Sequence, residues 1–179
     1  GATTVICTDK PGTLTQNQMR VHALLQCQGE VGEPSPALID LLAQSIAANT
    51  TAHLQIDGQA GAQVLGNPTE GALLLWLRDH GQDYLALREQ MRITNQLPFA
   101  TERKYMATEV LLGDGPARIF HLKGAPEYVR GFCSMALTPG GEVPIESLWE
   151  PLQQRLQGFQ AQGMRTLAIA MRREADPSA

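Results

Sequence analysis

Residues 104–127 read KYMATEVLLGDGPARIFHLKGAPE, and this stretch has the clearest secondary-structure pattern in the chain. Segments 104–112 and 117–122 are rich in apolar and β-branched residues, which favour strands. The four residues between them, GDGP, favour a turn. Two strands joined by a short turn predict an antiparallel β-hairpin, which is followed by a second turn at KGAPE.

Helical and strand patterns alternate through the rest of the chain. Ser35 is a capping residue followed by Pro36, so a helix of about four turns is predicted from this point. The segment NPTE at 67–70 introduces a second helix, which should end at Gly81. Further helices are predicted over 83–91, 128–135 and 147–162, and strands over 1–7, 93–99 and 165–171. A loop or flap is predicted over 52–65 and a loop over 138–144.

Composition narrows the functional classes. The 179 residues carry 14 Lys and Arg against 18 Asp and Glu, a formal net charge of −4, so nothing attracts the chain as a whole to nucleic acid or anionic lipid. The three cysteines are scattered, which is typical of reduced thiols. No apolar run approaches the roughly 18 residues of a membrane helix. We therefore expect a soluble chain with one main domain, and both ends suggest a piece of a longer protein.

Asp9 lies in the segment ICTDKPGTLTQ, residues 6–16, where an apolar strand meets a Gly-Thr turn. A carboxylate exposed at a strand end is ionised at neutral pH and can attack phosphorus to form an aspartyl phosphate. Thr13 and Thr15 are placed to cap the turn or to bond the phosphate. Taken alone, however, such a segment is more often a plain surface turn.

The same segment resembles the phosphorylation motif of P-type ATPases, DKTGTLT, and differs from it only at Pro11. Four further segments resemble motifs of that family, in the order that the family requires. They are GNPTEGAL at 66–73, PF at 98–99 with ERKYM at 102–106, KGAPE at 123–127 and GMRTLA at 163–168. Five such matches across nearly the whole chain identify it as a member of the P-type ATPase family.

The resemblance implies an α+β fold, in which a twisted antiparallel β-sheet is flanked by helices. Residues 21–175 would form the nucleotide-binding domain, residues 1–20 a stub of the phosphorylation domain that carries the DKPGTLT motif, and 176–179 a polar tail. The family's TGD turn, GDGxND loop and membrane helices have no counterpart in the sequence.

The resemblance also implies what the chain does. It would be a cytosolic domain of an integral membrane protein, monomeric in isolation, that binds ATP but cannot hydrolyse it. Its partners would be the phosphorylation, actuator and membrane domains of the parent pump. There, phosphoryl transfer from magnesium ATP to Asp9 would drive the transport cycle.

The resemblance assigns the base-binding residues of a nucleotide pocket. Phe99 would stack on adenine, and Lys123, followed by Gly124, would place an ammonium group at the pocket floor, near adenine and within reach of phosphate. Lys104 would supply further positive charge. Each residue has a structural alternative. Phe99 could be a core phenylalanine at a strand end, Lys123 an exposed lysine at a strand end, and Lys104 a solvated charge.

Two more ligand contacts follow from the same resemblance. Glu70, at the start of a helix, would accept a hydrogen bond from the adenine amino group and so favour ATP over GTP. Arg165 would bond ribose or the polyphosphate. The alternatives are a carboxylate stabilised by the helix dipole for Glu70 and a structural ion pair or packing role for Arg165. Thr69 is predicted mainly as a helix cap.

Two residues depart from the family pattern. Some relatives carry an arginine where this chain has Thr101, so one phosphate contact of the family is not expected here. At the position of Pro11 the family has a threonine whose carbonyl helps, with Asp9, to bind Mg²⁺. Proline keeps that carbonyl but lacks the N–H and the hydroxyl, and each lost donor would weaken phosphoryl transfer by ~2.7–4 kcal/mol. We expect Pro11 to cripple phosphorylation in a full-length pump and to leave nucleotide binding unchanged.

The transported ion is predicted from three segments. QSIAANT at 44–50, GNPTEGALL at 66–74 and YLALR at 84–88 resemble calcium pumps of the plasma-membrane type and their bacterial relatives. Ion specificity resides in membrane helices, so these segments do not exclude pumps for other cations.

Two other classes of protein compete with this interpretation. A phosphatase of the haloacid dehalogenase type needs a second acid two residues after its nucleophile, where this chain has Pro11. A scaffold module without a nucleotide role would not bring the side chains of Phe99, Lys104 and Lys123 to one pocket. The positions of these three side chains therefore discriminate between the classes.

Overall fold

The computed structural model describes the backbone of residues 2–10, 18–26, 29–59 and 61–174, and the side chains of all these ranges but the first. The strands are β1 (Ala2–Lys10), β2 (Arg20–Gln26), β3 (Gly29–Val31), β4 (His53–Asp57), β5 (Gly61–Leu65), β6 (Arg92–Leu97), β7 (Tyr105–Leu111), β8 (Arg118–Gly124), β9 (Met135–Thr138), β10 (Gly141–Pro144) and β11 (Arg165–Glu174). The α-helices are α1 (Pro36–Ala48), α2 (Pro68–Asp79), α3 (Tyr84–Glu89), α4 (Pro126–Arg130) and α5 (Trp149–Ala161). No helix in the described ranges is long and apolar enough to cross a membrane.

A seven-stranded antiparallel sheet forms the centre of the fold, in the order β3-β2-β1-β11-β8-β7-β6. The predicted hairpin is present as β7 and β8, with Tyr105 paired to Gly124 and Leu111 to Arg118. Strands β6 and β11 confirm the predictions for 93–99 and 165–171 to within a few residues. The α+β prediction of an antiparallel sheet flanked by helices is thus confirmed.

Capping residues start the helices where the sequence predicts them. The Ser35 hydroxyl accepts a hydrogen bond from the Leu38 N–H at 3.2 Å, ahead of Pro36 at the first position of α1. The Asn67 side chain accepts from the N–H groups of Thr69 and Glu70 at the start of α2. These bonds satisfy N–H groups that the first turn of a helix leaves without an internal partner. The cap of α2 is therefore Asn67, and the prediction of Thr69 as the cap is wrong, because Thr69 already lies in the first turn of the helix. The helix that carries Glu70 therefore begins at a fixed point.

Two apolar layers cover the two faces of the sheet. One packs α1, α2 and α3 against the sheet, and the other packs α4, α5 and β9 against its opposite face. Ile169 of β11 lies in the first layer, whereas its neighbours Ala168 and Ala170 lie in the second. This alternation is the two-residue period of a strand, so β11 belongs to the centre of the core.

Three local predictions are wrong. Segment 52–65 forms the hairpin β4 and β5 instead of a loop, and segment 138–144 forms most of the hairpin β9 and β10. The helix predicted over 128–135 ends at Arg130, and Met135 already belongs to β9. Strand β4 reads HLQID, in which Leu54 and Ile56 alternate with polar residues, so the sequence does contain the two-residue period of a strand. The prediction of a loop followed instead the polar, glycine-rich composition of the segment as a whole.

Strand β1 lies inside the sheet, between β2 and β11. The sequence assigned residues 1–20 to a second domain, and that division stays a prediction. Pro11 and the rest of 11–17, like the side chain of Asp9, lie outside the described part of the structure.

Candidate nucleotide site

A cavity of about 370 Å³ opens between the start of α2, the start of β11, the end of β8 and the turn before β7. The six residues that the sequence predicts as ligand contacts all line it. They are Glu70, Phe99, Lys104, Lys123, Gly124 and Arg165. These residues are up to 95 positions apart in the chain, so the fold brings them together.

An ion pair forms the floor of the cavity. The Lys123 ammonium group lies 2.7 Å from Oε1 of Glu70 and donates a second hydrogen bond to the Asn49 carbonyl at 2.6 Å. The other carboxylate oxygen, Oε2, accepts from the N–H and the hydroxyl of Thr51 at 3.0 and 2.8 Å. Both residues are buried. Burial of charged groups is tolerated only when they are paired and hydrogen-bonded, as they are here.

Burial and pairing act in opposite directions on the pKa values of these two groups. Removal from water raises the pKa of Glu70, but the charge and hydrogen bond of Lys123 and the two bonds from Thr51 outweigh it, so the net pKa lies below its ordinary value. Burial lowers the pKa of Lys123, and the Glu70 carboxylate opposes that shift. Glu70 is therefore ionised at neutral pH.

The ion pair bears on two residues predicted as ligand contacts. The ammonium group of Lys123 lies at the cavity floor, where two of its three N–H donors are already bonded, and its contact with phosphate stays a prediction. Its alternative, an exposed lysine at a strand end, is wrong because the side chain is buried. Glu70 does begin a helix, as its alternative required, but its carboxylate is held mainly by Lys123 and Thr51.

Phe99 forms a wall of the cavity and is 55% exposed. The alternative of a core phenylalanine is therefore wrong. Its loop is closed by local bonds: Arg103 donates to the Pro98 carbonyl at 2.7 Å, and the Lys104 N–H donates to the Ala100 carbonyl at 2.8 Å. An exposed aromatic ring on a braced loop is suited to stacking on a planar ligand.

Lys104 has a backbone φ of +63°, which places it in the left-handed region. Its carbonyl accepts a hydrogen bond from the Ala125 N–H at 2.9 Å, across the end of β8. A side chain at Gly124 would lie 2.3 Å from that carbonyl oxygen and 2.6 Å from the Tyr105 Cα. Glycine at 124 is thus needed because the turn that carries Lys104 passes directly over it.

We predict that Gly124→Ala lowers the free energy of unfolding by about 1–3 kcal/mol, the usual cost of overpacking a filled interior. The added methyl group meets the Lys104 carbonyl oxygen and the Cα and Cβ atoms of Tyr105, and none of these can rotate away as the end of a flexible side chain can. Urea unfolding followed by circular dichroism measures the loss. The matched control is Gly158→Ala, in the middle of α5, where a methyl group meets nothing within 4 Å; this change should stabilise the helix by about 0.5–1 kcal/mol. Equal midpoints for both variants would show that the turn can move freely.

The mouth of the cavity is polar. Arg165 donates a hydrogen bond to the Thr69 hydroxyl at 3.3 Å, and Gln160 of α5 donates to the Thr166 hydroxyl at 2.8 Å. Within the described residues neither Arg165 nor Lys104 has a salt-bridge partner. Two cations are therefore free to meet a negatively charged ligand at the mouth.

Sequence reasoning missed several residues of the site. Gln160, Met106 and Thr166 line the cavity, and Asn49 and Thr51 hold the ion pair from behind. The segment that contains Asn49 was noted only for its resemblance to calcium pumps. Met106 and Thr166 also belong to segments that resemble family motifs, but the resemblance gave them no role at the site. No local pattern marks Gln160 or Thr51, which reach the site through long-range packing.

The predicted phosphoryl acceptor is described only by its backbone. Asp9 lies opposite Arg165 in the pairing of β1 with β11, so the acceptor strand runs beside a residue of the cavity. The predicted Mg²⁺ ligands, the Asp9 side chain and the Pro11 carbonyl, lie outside the described part of the chain. Thr101 is not among the residues that line the cavity.

Comparison with known proteins shows which proteins the chain resembles. The family model described as P-type ATPase, cytoplasmic domain N, matches residues 37–178. The chain is 34% identical to the plasma membrane-type calcium-transporting ATPase 9 of Arabidopsis thaliana, over 96% of this chain and 16% of the relative. It is 30% identical to the calcium-transporting ATPase PAT1 of Dictyostelium discoideum, over 96% and 16%. It is 32% identical to the probable cation-transporting ATPase F of Mycobacterium bovis, over 96% and 21%. The chain thus spans about a fifth or less of these relatives.

Proposed function

The chain belongs to the P-type ATPase family, as its cytoplasmic domain N, and from this premise we propose that it binds ATP in the cavity lined by Phe99. The observation that carries the proposal is the convergence on one cavity of an exposed aromatic ring, a buried ion pair and two cations that have no salt-bridge partner among the described residues. A nucleotide offers a matching set: a flat base, polar groups on the edge of that base and a chain of phosphates.

The base fits the inner part of the cavity. Phe99 supplies a stacking face, and the paired Glu70 and Lys123 place an acceptor and a donor at the floor. A carboxylate offers about four acceptor positions, of which the contacts to Lys123 and Thr51 occupy three. One acceptor position on Oε1 and one N–H of Lys123 are left for the edge of a base.

The phosphates fit the mouth. Lys104 and Arg165 line the cavity without salt-bridge partners among the described residues, and such cations attract phosphate by charge and by hydrogen bonds. Lys123 is assigned to the base rather than to phosphate, because its ammonium group is bonded at the floor.

The names of the relatives support a further proposal about the longer protein to which this domain would belong. Their printed names are calcium-transporting or cation-transporting ATPases, and we propose that the parent transports a cation, with calcium favoured. In that pump the domain would present the γ-phosphate of ATP to Asp9. Magnesium would be held by Asp9 and the Pro11 carbonyl, and ATP binding in the cavity does not depend on these two groups. The described chain by itself should bind ATP without turning it over.

We predict that Phe99→Ala weakens ATP binding by about fivefold to 150-fold, the range that corresponds to the loss of one base-stacking contact. Folding should be unaffected, because the ring is more than half exposed. An NMR titration of labelled protein with ATP, AMP-PNP and GTP, with and without Mg²⁺, measures the affinity. Phe132→Ala is the control, since Phe132 is equally exposed but does not line the cavity.

The same titration separates the proposal from the scaffold alternative. That alternative predicted that Phe99, Lys104 and Lys123 would not share a pocket, whereas all three line one cavity. Saturable shifts that Phe99→Ala weakens and Phe132→Ala preserves support a nucleotide site. Absence of saturable shifts in the unaltered chain at millimolar ATP would overturn it.

A further inference from the structure

The segment that follows α1 is hydrogen-bonded to both members of the ion pair in the cavity. Its residue Asn49 accepts from Lys123 through the main-chain carbonyl, and Thr51 donates twice to Oε2 of Glu70. Thr51 itself does not line the cavity and is exposed on the outer surface. Any effect of this threonine on a ligand must therefore pass through Glu70.

The segment is firmly placed. Arg88 of α3 donates to the carbonyls of Ala47 and Thr50, at 2.9 and 3.1 Å. The Asn49 side chain donates to the Met106 carbonyl at 3.2 Å and accepts from the hydroxyl of Thr108 on β7 at 2.8 Å. These bonds tie the end of α1 to α3 and to the sheet. Thr51 is thus a donor with a fixed position.

The two bonds from Thr51 determine which carboxylate oxygen remains available. Oε2 receives both donors of Thr51, which fills its acceptor positions, whereas Oε1 receives only Lys123 among the described groups. If Oε2 lost its hydroxyl donor, the carboxylate could rotate about its last bond and share Lys123 between both oxygens. The orientation of Glu70 therefore depends on the Thr51 hydroxyl.

We propose that Thr51 is a positioning residue of the nucleotide site, which orients Glu70 so that Oε1 accepts a hydrogen bond from the exocyclic amino group of adenine. The proposal rests on the proposed ATP-binding function and adds to it the source of base selectivity. It assigns the selectivity to a residue outside the cavity and before α2, which touches no ligand.

Among the described residues, Lys123 on β8 is the charged group bonded to this carboxylate, and Lys104 before β7 and Arg165 on β11 line the same cavity. Arg88 on α3 is bonded to the carbonyl of Thr50, next to Thr51. The two bonds from Thr51 act with Lys123 to lower the pKa of Glu70. Removal of the hydroxyl should therefore raise that pKa, with Lys123 still in place.

The test compares Thr51→Val, which removes the hydroxyl and keeps the shape, with Thr51→Ser, which keeps both donors. Each is titrated with ATP and with inosine triphosphate, which carries a carbonyl in place of the amino group. We expect Thr51→Val to weaken ATP binding roughly three- to tenfold, as for the loss of one hydrogen bond. Inosine triphosphate should bind as before, and Thr51→Ser should behave like the unaltered chain. Thr94→Val makes the same change on β6 and should alter neither affinity.

A second measurement needs no nucleotide. Carbon-13 spectra of the ligand-free protein, with the Glu70 carboxyl signal assigned from Glu70→Gln, follow the protonation of this group directly. The pKa of Glu70 should be higher in Thr51→Val than in Thr51→Ser. If Thr51→Val folds poorly, Thr51→Ala removes the same hydroxyl with less bulk at this exposed position.

The outcomes keep the two proposals apart. Equal loss of ATP and inosine triphosphate affinity in Thr51→Val would show a general structural role and overturn the positioning role. An unchanged ATP affinity with an unchanged carboxyl titration would overturn it as well. Failure of the unaltered chain to bind any nucleotide would overturn the proposed function and the selectivity role together. In that case the carboxyl titration would still report whether Thr51 holds Glu70.

Discussion

Lys123→Met should lower the free energy of unfolding by about 3–5 kcal/mol at pH 7, the largest effect that we expect from a single substitution in this chain. The change removes the ammonium group and keeps a flexible apolar side chain of similar length. Glu70 then stays buried with only Thr51 as a hydrogen-bond donor, and the Asn49 carbonyl loses its partner. The effect comes from the charge left behind rather than from lost packing. Urea unfolding at pH 7 measures it.

The pH dependence of this loss identifies its cause. In the unaltered chain the pKa of Glu70 is lowered, so the pair stabilises the fold above the unfolded pKa, and this stabilisation is lost as the pH falls through the folded pKa. Without Lys123 burial dominates and the pKa of Glu70 is raised, so the variant becomes less stable as the pH rises. The difference between the two proteins should therefore shrink on acidification. A difference that stayed constant from pH 7 to pH 4.5 would contradict the buried-charge explanation.

A double substitution tests whether the unpaired charge of Glu70 causes the loss of stability. Adding Glu70→Gln to Lys123→Met removes the unpaired charge, and most of the lost stability should return, because a buried ion pair is often replaceable by uncharged groups. ATP binding should not return with it. Arg20→Met is the control: Arg20 pairs with Asp79 at 3.0 Å on the exposed surface, and such pairs are worth about 0–1 kcal/mol.

The sequence predicts the location of the site better than its internal chemistry. Phe99, Lys104 and Lys123 belong to short motifs, and these motifs predict which residues meet in one cavity. The pairing of Lys123 with Glu70 is not predictable from either motif, because it depends on how the end of β8 packs against the start of α2, 53 positions away. The predicted reach of Lys123 to phosphate did not take this pairing into account, and it stays a prediction.

The same contrast holds for the backbone. Helix starts follow from local capping, so Ser35 could be placed from the sequence, and its side chain does cap α1. The start of α2 was predicted near the right position, but its cap is Asn67 and not Thr69. The left-handed conformation of Lys104 could not be predicted, because nothing in a lysine favours it. Its cause is the close contact with Gly124 on a neighbouring strand. The glycine was predicted as a ligand contact, and the structure adds a packing reason for it.

Acid should destabilise this fold through His121, which gives the second-largest effect. His121 is buried on β8, and its Nδ1 has no hydrogen-bond partner in the part of the chain that the structure describes. Burial, with a smaller contribution from the charge of Arg173, lowers the pKa of His121 from 6.5 to about 4. The unfolded chain therefore binds a proton more readily than the folded chain between these two values. Stability is fully present above pH 6.5 and falls as the pH approaches 4.

The size of this effect follows from the shift. Each pKa unit corresponds to 1.36 kcal/mol, so His121 should remove about 3 kcal/mol of stability between pH 7 and pH 4. Urea unfolding across this range measures it, with His121→Leu as the comparison, because leucine cannot take up a proton. Between pH 7 and pH 4, His121→Leu should lose about 3 kcal/mol less stability than the unaltered chain. Glu70 also titrates at the acidic end, but it is present in both proteins and cancels in the difference.

Arg173→Gln refines the assignment, because it removes the positive charge that acts on His121 and leaves the burial unchanged. The pKa of His121 should rise towards its ordinary value in this variant, and the loss of stability on acidification should become smaller. Direct NMR titration of the His121 ring in each protein provides the matching pKa. If His121→Leu and the unaltered chain lost the same stability between pH 7 and pH 4, the imidazole would be gaining its proton in the folded state without penalty. The pH sensitivity of the fold would then have to come from its carboxylates, with Glu70 as the first to test.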